Sequence, residues 1–163
     1  MKLPYREGTV FAVPLRVGGY AIGVVARASQ RGRVIFGYFF GPARENIPSI
    51  IEVGHLRCHD AVKFCLFGDL SLINGEWVTI FDIKEWDRRS WPMQSFVRDE
   101  EFTGRRWMVT HSDDDPVSIV SEIPISKNSV SLERDSIWGA GAVEIELTKL
   151  LAGDAAKSGT GSG

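Results

Sequence analysis

The sequence predicts a single α+β domain. Its expected core is a strongly bent, mostly antiparallel sheet whose first three strands form an SH3-like half-barrel, with one helix at the C-terminal end. Three observations carry this prediction. Two stretches, 10–27 and 62–83, each present apolar residues about a dipeptide suited to a tight hairpin turn. Between them, residues 33–40 are apolar on both faces of the expected strand. Only 141–151 repeats at a helical period. A length of 163 residues with 44% hydrophobic content suits one domain, placed at 1–153, followed by a flexible Gly/Ser-rich tail at 154–163.

Val10 to Val17 reads as the first strand, Gly18-Gly19 as the turn and Tyr20 to Arg27 as the return. A two-residue loop pairs Val17 with Tyr20, Leu15 with Ile22, Val13 with Val24 and Phe11 with Ala26. Pro14 lacks an N–H, so it belongs at an edge or bulge. In the third strand, Arg33 to Phe40, Val34, Phe36, Tyr38 and Phe40 face one way and Ile35 and Phe39 the other, and Gly41-Pro42 is expected to end it. Ala43 to Asp60 reads as a loop with a short strand at Ile50–Val53.

The stretch Val62 to Ile83 reads as the central hairpin. Its turn is Asn74-Gly75, and it pairs Leu72 with Trp77, Leu70 with Thr79, Gly68 with Phe81 and Leu66 with Ile83. Lys84 to Val97 reads as an ordered loop packed through its aromatics. Arg106–His111 and Val117–Ile125 form a further strand pair, joined through Asp113-Asp114-Asp115-Pro116. Val143, Leu147, Leu150 and Leu151 share the face of the final helix, with Gly153 at its C-terminal cap. The predicted core is Phe11, Val13, Leu15, Ile22, Val24, Phe36, Phe64, Leu66, Leu70, Leu72, Trp77, Phe81, Val143 and Leu147.

The net charge of -2 implies no partner by itself. Its distribution is uneven: residues 1–63 hold nine Lys/Arg against four Asp/Glu, and the rest is acidic. Two cysteines, Cys58 and Cys65, make no disulfide framework and fit a reducing compartment. The N-terminus has no apolar signal region, and no apolar run approaches the ~20 residues of a membrane span. The expected location is the cytoplasm, without a membrane partner.

Each candidate site has a plainer reading beside it. His55, Cys58, His59 and Cys65 carry zinc-compatible atoms, but their spacing matches no paired-ligand pattern, so no metal is expected. No nucleophile elbow or phosphate loop is present, so neither catalytic residues nor a cofactor are expected. An enzyme would instead reveal itself by His55, Cys58 or His111 meeting a carboxylate in a cleft. The runs Asp99-Glu100-Glu101 and Asp113-Asp114-Asp115 are solvated turns taken singly, and together an acidic surface able to steer a basic partner. Trp86 and Trp91 would anchor a protein partner, stack bases or pin their loop. Arg27, Arg31, Arg33, Arg88, Arg89, Arg105 and Arg106, with Tyr38 and Phe39 as stacking platforms, give the alternative: a nucleic-acid-binding β-barrel module.

The opening Leu3-Pro4-Tyr5-x-Glu7-Gly8-Thr9-Val10-Phe11-Ala12-Val13-Pro14-Leu15 and Gly19-Tyr20-Ala21-Ile22-Gly23-Val24-Val25-Ala26-Arg27 resemble the start of the Immunity protein 26 family. Asn74-Gly75-Glu76-Trp77-Val78-Thr79-Ile80 is similar to its Gly-x-Trp segment. Trp91-Pro92-Met93, Phe96 and Gly139-Ala140-Gly141-Ala142-Val143-Glu144 resemble its later segments. The acidic runs and the Cys/His cluster are not among these motifs. The resemblance implies a bacterial polymorphic-toxin immunity protein of α+β fold, without chemistry of its own. Its partner would be a cognate toxin domain, such as a nuclease, neutralised by occlusion. On that view Asp99, Glu100, Glu101, Asp113, Asp114, Asp115, Trp86 and Trp91 are the expected partner-binding residues.

Overall fold

The computed structural model describes residues 2–129 and 132–159. Six strands make the main sheet: β1 (Thr9–Pro14), β2 (Tyr20–Ala28), β3 (Val34–Arg44), β4 (Lys63–Gly68), β5 (Val78–Asp82) and β9 (Ile137–Trp138), in the order β5-β1-β2-β3-β4-β9. All its pairings are antiparallel except the parallel β4–β9. A second antiparallel sheet holds β6 (Phe96–Asp99), β7 (Arg106–His111) and β8 (Ile119–Ile125), in that order. Two four-residue helices, α1 (Ile50–Val53) and α2 (Leu70–Ile73), the long α3 (Ala140–Gly159) and two 3-10 turns at Cys58–Asp60 and Arg88–Ser90 complete the described elements. The class is the mixed α+β class that the sequence predicts, and the main sheet is not closed into a barrel.

The main sheet is buried on both faces, which makes two cores. On one face, Phe11, Val13, Val25, Phe39, Phe67 and Trp77 pack beneath Val143, Leu147 and Leu151 of α3. On the other, Val10, Ile22, Val24, Phe36, Tyr38 and Leu66 pack against Val53, Trp91 and Phe96. The aromatics on both sides of β3 follow from this double cover.

Double burial also explains the first register correction. Phe11 pairs with Gly23 and Val13 with Ala21, not with Ala26 and Val24. The connection is five residues, Leu15 to Gly19, closed by the Leu15 N–H donating to the Gly19 carbonyl at 2.8 Å. Hydrophobic pattern fixes register only where one face is wet; here an odd shift exchanges one apolar face for another. The observed register sets the Phe11 ring over Gly23, where a Cβ would lie 2.3 Å from the ring.

The central hairpin does not form. β4 pairs with β3 and β9, while β5 pairs with β1 at the far edge. The chain leaves the sheet after Gly68, where the Asp69 carboxylate accepts from Tyr5 Oη (2.6 Å) and from the Arg33 N–H (2.8 Å). The turn α2 follows. Asn74 is right-handed (φ -88°) and only Gly75 is left-handed (φ 81°), so the pair ends a helix instead of making a type I′ turn. Leu70, predicted core, is 70% exposed on α2, while Leu72 and Trp77 are buried as expected.

Other boundaries move as well. β3 continues past Gly41-Pro42 to Arg44. Ile50–Val53 is a helical turn, closed by a capping box between Ser49 and Glu52, rather than a strand. α3 continues past Leu151, so Gly153 lies within it, and residues 154–159 of the expected tail are helical backbone. Residues 160–163 of that stretch lie outside the described residues.

Candidate functional site

The second sheet packs on the main sheet through Phe96, which meets Phe36 and Phe64, and carries both acidic runs. Asp99, Glu100 and Glu101 lie where β6 turns toward β7, and Asp113 to Asp115 lie where β7 turns toward β8. β7 separates them by about 17 Å at the usual strand rise. The runs therefore flank the sheet at opposite ends and do not merge into one patch.

Most of their charge is met internally. Asp99 pairs with Arg106 at 2.8 Å, and that hydrogen bond holds its carboxyl below the usual carboxylate range. Glu100 accepts from Thr103 and from the Trp107 indole (2.8 Å), and these bonds likewise lower its pKa. Asp113 receives Arg27 Nε at 2.8 Å. Asp115 accepts from the Val117 N–H and the Ser118 hydroxyl, which shapes its own turn. Glu101 is exposed, and Asp114 is 89% exposed even with Arg88 at 3.3 Å.

Arg27 organises this corner. Its side chain is 4% exposed, yet its donors reach the carbonyls of Ala26 (2.7 Å), Trp91 (2.8 Å) and Arg88 (3.2 Å) besides Asp113. Arg88 in turn grips Glu7 through two nitrogens, at 3.1 and 2.8 Å. Arg106 and Arg89 are committed to Asp99 and Asp87. The arginine stripe is thus largely spent on carboxylates of the same chain. Tyr38 and Phe39, proposed as stacking platforms, are 1% and 0% exposed, in the two cores. These buried rings cannot serve as stacking platforms, and the main sheet is open rather than a barrel.

Trp86 and Trp91 stack on each other with centroids 5.7 Å apart. Trp91 is buried, and the half-buried Trp86 donates to Glu7 at 3.2 Å, so between them they pin the 84–95 loop onto the main sheet.

The Cys/His cluster separates. His55, Cys58 and His59 line a groove of about 590 Å³ between α1 and the chain leaving β5. Cys65 is buried in the core on the opposite face, where burial pushes its thiol up to about 12. The four residues therefore do not share one site. His111 does meet a carboxylate: its Nε2 lies 2.7 Å from Asp135. The carboxylate accepts from Nε2, and Nδ1 is enclosed without a hydrogen-bond partner among the described residues. A base would need an exposed nitrogen and a nucleophile at it; this pair instead fastens the 132–138 connection to β7.

Two exposed apolar features on this sheet escaped the sequence reading. Phe102, 97% exposed, tops the β6–β7 loop beside Glu101. Ile119 (48% exposed), Val120 (64%) and Ile123 (47%) lie along β8, the outer strand. The available signal was the apolar pair Ile119-Val120, which breaks the strict alternation of a half-buried strand.

Among the described residues no helix is long and apolar enough to cross a membrane. No curated protein and no solved structure matches the chain. The family model described as Immunity protein 26 matches residues 6–108. That stretch is more than half of the chain and carries every strand from β1 into β7, so the chain belongs to the Immunity protein 26 family, a family of immunity function.

Proposed function

We propose that this chain binds the cognate toxin domain of a bacterial polymorphic toxin system and neutralises it by occlusion in the cytoplasm, without catalysis. Family membership over residues 6–108 is the observation that carries the reading. The second sheet is the proposed docking surface, because it combines bare apolar side chains (Phe102, Ile119, Val120, Ile123) with the exposed carboxylates Glu101 and Asp114. Stable interfaces join an apolar centre to a polar rim in this way and bury about 1,600 Å² in total. Asp99, Glu100, Asp113 and Asp115 shape the loops that present this surface, and Trp86 and Trp91 hold the 84–95 loop beneath it. Where the toxin is a nuclease, Glu101 and Asp114 would occupy positions normally taken by phosphates.

Co-expression with the toxin domain encoded beside it tests the reading. Growth should be restored, and the two chains should co-purify as a stoichiometric complex. Continued toxicity in the presence of folded, abundant chain would refute it.

A further inference from the structure

We propose that the outer edge of β8 captures an extended segment of the toxin as an added strand; this rests on the toxin-binding reading above. β8 pairs with β7 on one side and with no described strand on the other. An edge strand leaves every second N–H and C=O directed at solvent, which is a template for another extended backbone.

Natural edges are usually blunted by shortness, charge or proline. β8 is seven residues long and carries one charge, Glu122, which is drawn across the sheet to Arg98 at 2.9 Å. Pro124 removes one donor near its end, and a bulge at Val120, where the register shifts between Thr110↔Ser121 and His111↔Ile119, interrupts the strand, so the regular edge open to pairing is Ser121 to Ile123. Ile119, Val120 and Ile123 are exposed where an added strand would cover them. A hollow of about 600 Å³ opens beside Val120, walled by Met93, Thr110 and His111 and by the charged Arg88, Arg89 and Asp114, and would receive a polar side chain of the incoming strand.

Charge specifies the occupant further. Asp114 stands exposed at the N-terminal end of β8, and Lys127 lies two residues beyond its C-terminal end. The fitting segment is extended and apolar at its centre. It carries a basic residue at the end that meets Asp114 and an acidic residue at the other. Pairing of two copies of β8 about Glu122 would set that carboxylate against its own copy, which disfavours this register of self-association.

The test is amide hydrogen exchange of Ile119 to Ile123 in the free chain and in its complex with the toxin domain encoded beside it. Binding of the variants V120K and I123K, both at exposed positions, is measured alongside. The proposal predicts at least tenfold slower exchange in the complex at those amides of this stretch that point away from β7, with the amides already bonded to β7 little changed. It also predicts at least tenfold weaker binding by either variant, with unchanged thermal unfolding. A complex that forms with β8 exchange unchanged overturns the added strand but leaves toxin binding intact. Failure to form any complex with folded chain overturns the underlying reading. Concentration-dependent protection of β8 in the chain alone, with a dimer in sedimentation, would assign the edge to a second copy and overturn the toxin as occupant.

Discussion

The Arg27 guanidinium and the Asp113 carboxylate meet at 2.8 Å, one side chain 4% exposed and the other 57% exposed. A buried cation from the main sheet thereby fixes the loop that leads into β8. The same guanidinium holds the carbonyls of Trp91 and Arg88, so one side chain joins β2, the tryptophan loop and the acidic turn.

Loss of either partner should cost unequal amounts. Asp113 is mostly in water, but D113A leaves the buried Arg27 guanidinium on carbonyls alone, so it should lower stability by about 2 kcal/mol. R27M keeps the volume but abandons three carbonyls and the carboxylate, and should cost about 3 kcal/mol or more. Urea midpoints of the two variants check the ranking; equal losses would contradict the assigned burial.

Gly23 is required by Phe11. A Cβ at Gly23 would lie 2.3 Å from the Phe11 ring, which is itself fully buried and stacked on Trp77 at 5.6 Å. G23A should therefore destabilise by about 3 kcal/mol through overpacking. Pairing it with F11L should recover part of that loss, because the two positions are in contact and their effects do not add. A double-mutant cycle by denaturant unfolding gives the coupling directly.

How legible this fold was depends on which face of each element is wet. β7 and β8 were readable because turn residues bracket them, and α3 because its face repeats at Val143 and Leu147. The first hairpin was found but misregistered, since Phe11 and Val10 are equally buried on opposite faces. Asn74-Gly75 misled because a left-handed glycine serves a helix end as well as a hairpin, and the Asp69 contacts that decide between them are 36 and 64 residues away in sequence. The acidic runs were visible as sequence. Their separation across β7 and their neutralisation by Arg106 and Arg27 are tertiary facts that no local pattern encodes.

The two thiols should react at different rates. Cys58 is half-exposed along the α1 groove, whereas Cys65 is 1% exposed and its pKa is pushed up to about 12 by burial, which keeps it a thiol at neutral pH. Native protein treated with a disulfide reagent should release one equivalent of chromophore promptly and the second only on unfolding. Prompt release of two equivalents would place Cys65 outside the core.

Charge should act on the rate of toxin encounter through Asp114 rather than Asp113. D114N should slow association several-fold at low salt and little at physiological salt, with dissociation nearly unchanged. Stopped-flow association across a salt series reads this. An on-rate insensitive to the substitution at every ionic strength would remove the steering role.

The most direct measurement is a titration of the purified toxin domain's own activity with this chain. The account predicts a linear fall to zero at one equivalent, with the added chain recovered unaltered. Full toxin activity in the presence of several equivalents of folded chain would contradict it.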